Sequence, residues 1–344
     1  MEWIEALDTG TVSILIGVAT GLVFGAFAQQ SRFCLRAATV EFWRGQLGQK
    51  FSIWLLAFAA ALLATQSLIW AGWLEASSIR QLTTTGSLSG AIVGGSLFGL
   101  GMVMARGCAS RLLVLSATGN QRALVAGLVV TLVSQATLRG GLSPAREGIG
   151  GWWLIGAESR NLSDYLPEGA AGFIGLALLV CGIWLAIQHR TRPYFAMGAL
   201  IVGLTIAAGW GLTAWHASWS FDIVAVKSVS FTGPSADTLM GFINMPTVPP
   251  SFDIGIVLGV FAGSFLASLL TGQFQLQAFT EQTGLTRYLV GACLMGFGGM
   301  LAGGCAVGAG VTGGAVMALT AWVALLFMWL AAGLADWVLD RPKT

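Results

Sequence analysis

Three short segments of this chain place thiols, guanidiniums and glycines inside apolar sequence. SRFCLRAAT (31–39) holds Arg32, Cys34 and Arg36; ARGCASR (105–111) holds Arg106, Gly107, Cys108, Ser110 and Arg111; AGGCAVG (302–308) holds Gly304 and Cys305. A neutral thiol donates a weak S–H bond and accepts contact from polarizable atoms. Guanidiniums attract anions, and glycine lets backbone adopt conformations other residues avoid. A half-helix restarting at Ser110 or Val307 would present free N–H groups and a positive dipole end, the standard ingredients of an anion site. The chemistry on offer is therefore weak, serial contact with a small anion that carries soft and hard atoms.

Other chemistries find less support. The five cysteines include no CxxC, and His189 and His216 are the only histidines, so no zinc-type ligand set is visible. The Gly-rich stretches lack the strand context of a phosphate loop. Acidic residues such as Glu147, Glu158, Asp164, Glu168, Asp222, Asp237 and Asp253 fall in loops, leaving span centres without paired carboxylates for a proton relay. Cys181 and Cys293, in ordinary apolar helices, read as small buried hydrophobes. Arg44, Lys50, Arg190, Arg192, Arg341 and Lys343 read as snorkelling anchors. For Arg32, Arg36, Arg106 and Arg111 the anchor and pathway readings stand side by side. Trp152–Trp153 and Trp210, Trp215 and Trp219 read as interfacial belts.

The elements that must hold these residues are membrane helices. Of 344 residues, 56% are hydrophobic, 9% are charged and 48 are glycine. Apolar runs near 11–30, 51–74, 86–105, 121–140, 169–188, 194–216, 252–272, 286–303 and 316–339 are long enough to cross a hydrocarbon core of about 30 Å. The fold class is an all-α polytopic membrane protein of about nine transmembrane helices with short half-helices at the breaks. The whole chain, 1–344, forms one transport domain, and no polar stretch suggests a soluble ATPase or hydrolase. The start MEWIEALDTG carries two glutamates and no Lys or Arg, unlike a secretory signal peptide. On this span list Arg80, Arg139, Arg146, Arg160 and Lys227 share the N-terminal face, and the other twelve of the 17 Lys and Arg share the opposite face. The positive-inside rule then places the N-terminus outside and the C-terminus in the cytoplasm.

The breaks also repeat. GLGMVMARGC (99–108) aligns without gaps to GFGGMLAGGC (296–305), and FCLRAAT (33–39) aligns to FQLQAFT (274–280), which pairs Cys34 with Gln275. This gives a first repeat over 11–140 with an extra span at 51–74, a second over 252–339, and connecting spans over 169–216. Spans one and seven then enter from the same face while spans three and eight enter from opposite faces. An inverted repeat therefore requires one segment, among 194–272, to be assigned differently or the first half to be rearranged.

At SRFCLRAA, ARGCASR and AGGCAVG the sequence resembles the YeeE/YedE sulfur-transport family, whose characterised members take up thiosulfate. The resemblance implies an hourglass of two pseudo-symmetric repeats, with short helices meeting at a central constriction. It implies that Cys34, Cys108 and Cys305 relay thiosulfate, and that a small cytosolic sulfur carrier of the TusA type is a partner. Arg32, Arg36, Arg106, Gly107, Arg111, Gln275 and Gly304 are expected to support that path in the cytoplasmic (inner) membrane. Besides thiosulfate and membrane lipid, no nucleic acid, metal or cofactor is expected. Thiosulfate is a dianion with hard oxygens and one soft sulfur, and protonated thiols would admit it without repulsion. Two other readings compete. One is a membrane-embedded sulfurtransferase, needing a low-pKa thiol beside Arg106 and Arg111 that forms a persulfide. The other is a carrier of a selenium compound or of another soft species such as Cu(I), for which Met102, Met104 and Cys108 would serve but the arginines would not.

Overall fold

The computed structural model describes residues 8–167, 169–277 and 284–341. The first seven residues, Glu168, the 278–280 end of FQLQAFT and Lys343 lie outside the described residues. Among the described residues nine helical spans are long and apolar enough to cross a membrane, and strand is confined to a two-residue antiparallel pair, Gly86–Ser87 with Leu154–Ile155. The protein is an all-α polytopic membrane protein.

In chain order the helices are α1 (Thr9–Ser31), α2 (Leu35–Trp43), α3 (Gln49–Trp70), α4 (Leu88–Met104), α5 (Ala109–Ala117) and α6 (Gln121–Arg139). There follow α7 (Ala170–Gln188), α8 (Pro193–Trp219), α9 (Thr232–Asn244), α10 (Phe252–Leu270), α11 (Leu285–Leu301) and α12 (Leu319–Leu339). A wide helical turn, Ala306–Thr312, lies between α11 and α12. Side-chain caps start several helices: Asp8 accepts from Gly10 N, Ser87 from Gly90 N and Asn120 from Ala123 N. Pro193 opens α8, where its missing N–H costs nothing. Two of the boundaries that differ from the sequence reading have a local backbone cause. α3 stops at Trp70 because Gly72 turns left-handed, at φ 73°, and Trp73 N–H folds back onto Leu68 O. α12 starts at Leu319 because Met317 is left-handed, at φ 58°. Helix α9 was not anticipated at all; its sequence TGPSADTLMGFIN is too short and too polar to read as a span.

Glycine sets how closely the helices pack. Gly17, Gly21 and Gly25 of α1 face Gly255, Gly259 and Gly263 of α10, and the two run parallel. A Cβ on Gly21 would stand 2.6 Å from the Ile256 carbonyl, and one on Gly259 would stand 2.5 Å from that of Val18, so backbone touches backbone. α8 lies parallel on α3, with Gly203 against Ala57 and Gly211 against Leu68. α12 lies parallel on α4, with Gly95 against Ala324 and Gly99 against Met328. α11 lies parallel on α6, where Gly296 meets Val130 and Gln121 N–H donates to Gln277 O. Antiparallel pairs include α4 with α11 (Gly94 by Gly298, Gly101 by Gly291), and α1 with α8, where Gly198 meets Ser31 and Ser13 Oγ lies 3.3 Å from His216 Nδ1. α7 packs outside, along α3.

Three sequence readings are corrected. Trp210 is 2% exposed and walls a cavity, so it is no belt residue, whereas Trp152 and Trp153 are exposed at 72% and 58%. Cys181 and Cys293 are exposed on the outer faces of α7 and α11, not buried; an apolar surround offers them a place outside the protein core. Arg44 is not a free anchor: Nε and Nη2 donate to the Asp336 carboxylate at 2.8 and 2.7 Å.

Candidate functional site

The three cysteine segments share one local construction. In each, a helix ends on a left-handed residue: Arg32 (φ 56°), Arg106 (φ 55°) or Gly303 (φ 83°). The next N–H, of Phe33, Gly107 or Gly304, reaches back five residues to Ala28 O, Met102 O or Gly299 O. That is the Schellman ending, which satisfies carbonyls a broken helix would leave bare. The residue after it is the cysteine, in extended conformation, whose carbonyl accepts the first bond of a new helix from Ala38, Leu112 or Ala309. Cys34 thus heads α2, Cys108 heads α5, and Cys305 heads the Ala306–Thr312 turn. Glycine serves the left-handed position without strain; the two arginines hold it against steric preference.

All three thiols are free and buried, at 8%, 1% and 0% exposure for Cys34, Cys108 and Cys305. Cys34 and Cys108 are close neighbours, and Cys108 Sγ lies 3.3 Å from Ser110 Oγ. Cys305 Sγ accepts from Gly308 N at 3.4 Å. Arg111 stands beside the first pair and donates to Gln29 Oε1 at 3.3 Å.

Two cavities approach these junctions. A cavity of about 240 Å³ is walled by Cys34 with Arg32, Arg36, Lys50, Arg106 and Arg111. A second, of about 490 Å³, is walled by Gly303 and Gly304 of the third junction, by Ser230 and Trp210, and by the cations Arg80, Arg146, Arg160 and Lys227 with Asp237 and Asp253. They lie at opposite ends of α4: Ser87, just before it, walls the second, and Arg106, just past its end, walls the first. Seventeen residues of helix separate those ends, about 25 Å at 1.5 Å per residue. Cations outnumber carboxylates in both walls. In the first, Arg36 has Asp340 at 3.7 Å; in the second, Lys227 and Asp253 pair at 2.5 Å, and Arg160 donates to Thr84 O, Thr84 Oγ1 and Thr320 Oγ1. Burial of Arg160 lowers its pKa from the ordinary value.

Of the residues singled out in the sequence, Arg32, Cys34, Arg36, Arg106 and Arg111 come together at the first cavity. Gly107 is buried at its junction, and Gly304 opens onto the second cavity. Gln275 is placed elsewhere: it is exposed, its N–H donates to Thr118 O, and it lies beside Gly119 at the end of α5 remote from Cys108. Lys50, read as an anchor, joins the first wall. The second cavity was not foreseen, because its wall is gathered from widely separated stretches; Lys227, a lone cation in the apolar run IVAVKSV, was its one visible signal.

The fold and these junctions define a class: a helical membrane protein with buried thiols at helix breaks between two cation-walled cavities. Residues 30–334 match the family described as sulphur transport, and the chain belongs to that family. Two relatives are named Thiosulfate transporter TsuA. That of Escherichia coli (strain K12) is 28% identical over 354 residues, covering 96% of each chain. That of Spirochaeta thermophila is 27% identical over 349 residues, covering 95% of this chain and 99% of its own.

Proposed function

We propose that this protein carries thiosulfate across the cytoplasmic membrane, along a path from the larger cavity past Cys305, Cys108 and Cys34 to the smaller one. The observation that carries this reading is the threefold use of one construction, a buried cysteine capping a restarted helix, between two cavities rich in cations. The relatives named as thiosulfate transporters support the substrate. Cations at the mouths raise the local concentration of a dianion. The thiols then offer weak contacts to its soft sulfur, and the free N–H groups at the start of α2 and α5 suit its oxygens. Several weak contacts in series allow release as well as entry. The thiols are protonated while the anion passes, since a thiolate would repel it. The larger cavity faces outward and the smaller faces the cytoplasm, where a TusA-type carrier takes the product. This assignment keeps the N-terminus outside, and it places the cations that span parity separates (Arg80, Arg146, Arg160 and Lys227 from Arg32, Arg36, Lys50, Arg106 and Arg111) in different cavities.

Uptake of sulfur-labelled thiosulfate into cells lacking other sulfur importers tests the function. Uptake that resists excess sulfate and falls in Cys34→Ala, Cys108→Ala and Cys305→Ala is expected. A wild type without uptake overturns the substrate; full uptake in all three variants overturns the thiol path.

The adjacency of Cys34, Cys108 and Arg111 favours one second reading, a sulfurtransferase. There a thiolate attacks the outer sulfur of thiosulfate, forming a cysteine persulfide and expelling sulfite with the S–S bonding pair. Intact mass after exposure to thiosulfate decides: a gain of one sulfur atom supports it, and an unchanged mass rejects it.

A further inference from the structure

The packing described above repeats itself when the chain is read from a different starting helix. α1 lies parallel on α10 as α8 lies parallel on α3, and α12 lies on α4 as α6 lies on α11. The pairs α1 with α8 and α4 with α11, each antiparallel, close the pattern. One operation that turns the chain over satisfies all of these: it exchanges α1 with α8, α3 with α10, α4 with α11 and α6 with α12. The short α2 and α9 then correspond, as do α5 and the Ala306–Thr312 turn. The parity conflict in the sequence alignment disappears, because span one matches span six and not span seven. The counterpart of the Cys34 junction is therefore the stretch before α9, not the Gln275 segment.

That stretch, KSVSF at 227–231, contains no cysteine. We propose that Ser230 is a substrate-contacting residue, the hydroxyl counterpart of Cys34, standing beside Cys305 as Cys34 stands beside Cys108. This rests on the thiosulfate reading and adds to it a residue that recognises the hard end of the anion. Ser230 Oγ packs on Gly308, where any Cβ would collide with it, and Gly308 N–H is the group that donates to Cys305 Sγ. Ser230 walls the larger cavity together with Gly303 and Gly304. Its neighbours have used their hydroxyls: Ser228 donates to Ile206 O at 2.6 Å, and Thr312 donates to Val229 O at 2.7 Å. The Ser230 hydroxyl has no hydrogen-bond partner among the described residues, and the residue, which walls the cavity, is partly exposed. Phe231, the next residue, lies within 5.3 Å of Phe24, ring centre to ring centre, and walls a separate apolar cavity with Phe242. A hydroxyl suits a sulfonate-type oxygen and a thiol suits the terminal sulfur, so Ser230 and Cys305 together read both ends of one anion.

The test uses the full-length protein in cells, with Cys181→Ala and Cys293→Ala as the background for labelling. In Ser230→Ala the KM for labelled thiosulfate rises about tenfold, the effect of losing one hydrogen bond to a charged ligand, while the maximal rate changes little. In Ser230→Cys a membrane-impermeant methanethiosulfonate reagent blocks uptake faster than in the parent background, which keeps Cys305, and thiosulfate but not sulfate slows that added block. An unchanged KM in Ser230→Ala with an unprotected Ser230→Cys overturns the inference and leaves the transport reading intact. If Ser230→Ala fails to reach the membrane, protection of Ser230→Cys decides alone. A wild type without thiosulfate uptake removes the reading beneath and the inference with it.

Discussion

At the residue scale the left-handed arginines at two junctions do two things at once. Arg106 ends α4 at φ 55° and also walls the smaller cavity. Glycine at this position relieves about 1 kcal/mol of backbone strain while removing a cation. Arg106→Gly is therefore expected to melt slightly higher than wild type in detergent and to transport less, a divergence that a thermal melt and an uptake assay on one preparation will show. The thiols divide in the same way. Cys108→Ala is expected to cut uptake by about tenfold or more, the loss of one contact to a charged ligand. Cys293→Ala, on an exposed face of α11, is expected to transport as wild type does.

Elements hold these residues through glycine seams and a few ion pairs. The α1–α10 seam has no room for a side chain at Gly21, and both helices lead into segments near the smaller cavity. Gly21→Leu is expected to lose most membrane-inserted, monodisperse protein on size exclusion, because two backbones must separate to admit it. Asp340, just past α12, ties two elements together: it accepts from Arg287 Nη1 and Nη2 at 2.8 and 2.9 Å, and Arg36 lies 3.7 Å away. Hydrogen bonds from Arg287 hold the Asp340 carboxyl below its usual pKa. Its contribution is thus complete above the ordinary carboxylate pKa and is lost as pH falls through the depressed value. Asp340→Asn is expected to cost about 2 kcal/mol at neutral pH, with the melting curves of variant and wild type converging as the medium is acidified. A constant gap down to strongly acidic pH would reject the linkage.

For the whole molecule, we propose that the nine candidate spans among the described residues, with the excess of Lys and Arg, leave the C-terminus in the cytoplasm. A C-terminal fluorescent-protein fusion is expected to be bright and a C-terminal alkaline phosphatase fusion inactive. The reverse pattern would invert the direction assigned to the two cavities.

Sequence by itself determined the spans, since burying uninterrupted apolar residues in hydrocarbon needs no knowledge of neighbours, and each of the nine apolar runs overlaps one of the nine candidate spans. It also marked the three cysteine segments, because a thiol two residues after an arginine or a glycine inside apolar sequence is local chemistry. Tertiary structure alone decided which junctions meet. FQLQAFT resembles FCLRAAT in letters, yet Gln275 lies in a connection beside Gly119, while the stretch packed on the Cys305 turn is KSVSF, which resembles nothing upstream. Lys227 apart, the larger cavity left no signal for the same reason: its wall draws Arg80, Arg160, Lys227, Ser230 and Gly303 from stretches whose separation along the chain says nothing of their distance. What selects that arrangement is helix against helix at backbone distance, and a glycine stripe shows that a helix can be approached closely without naming the helix that does so.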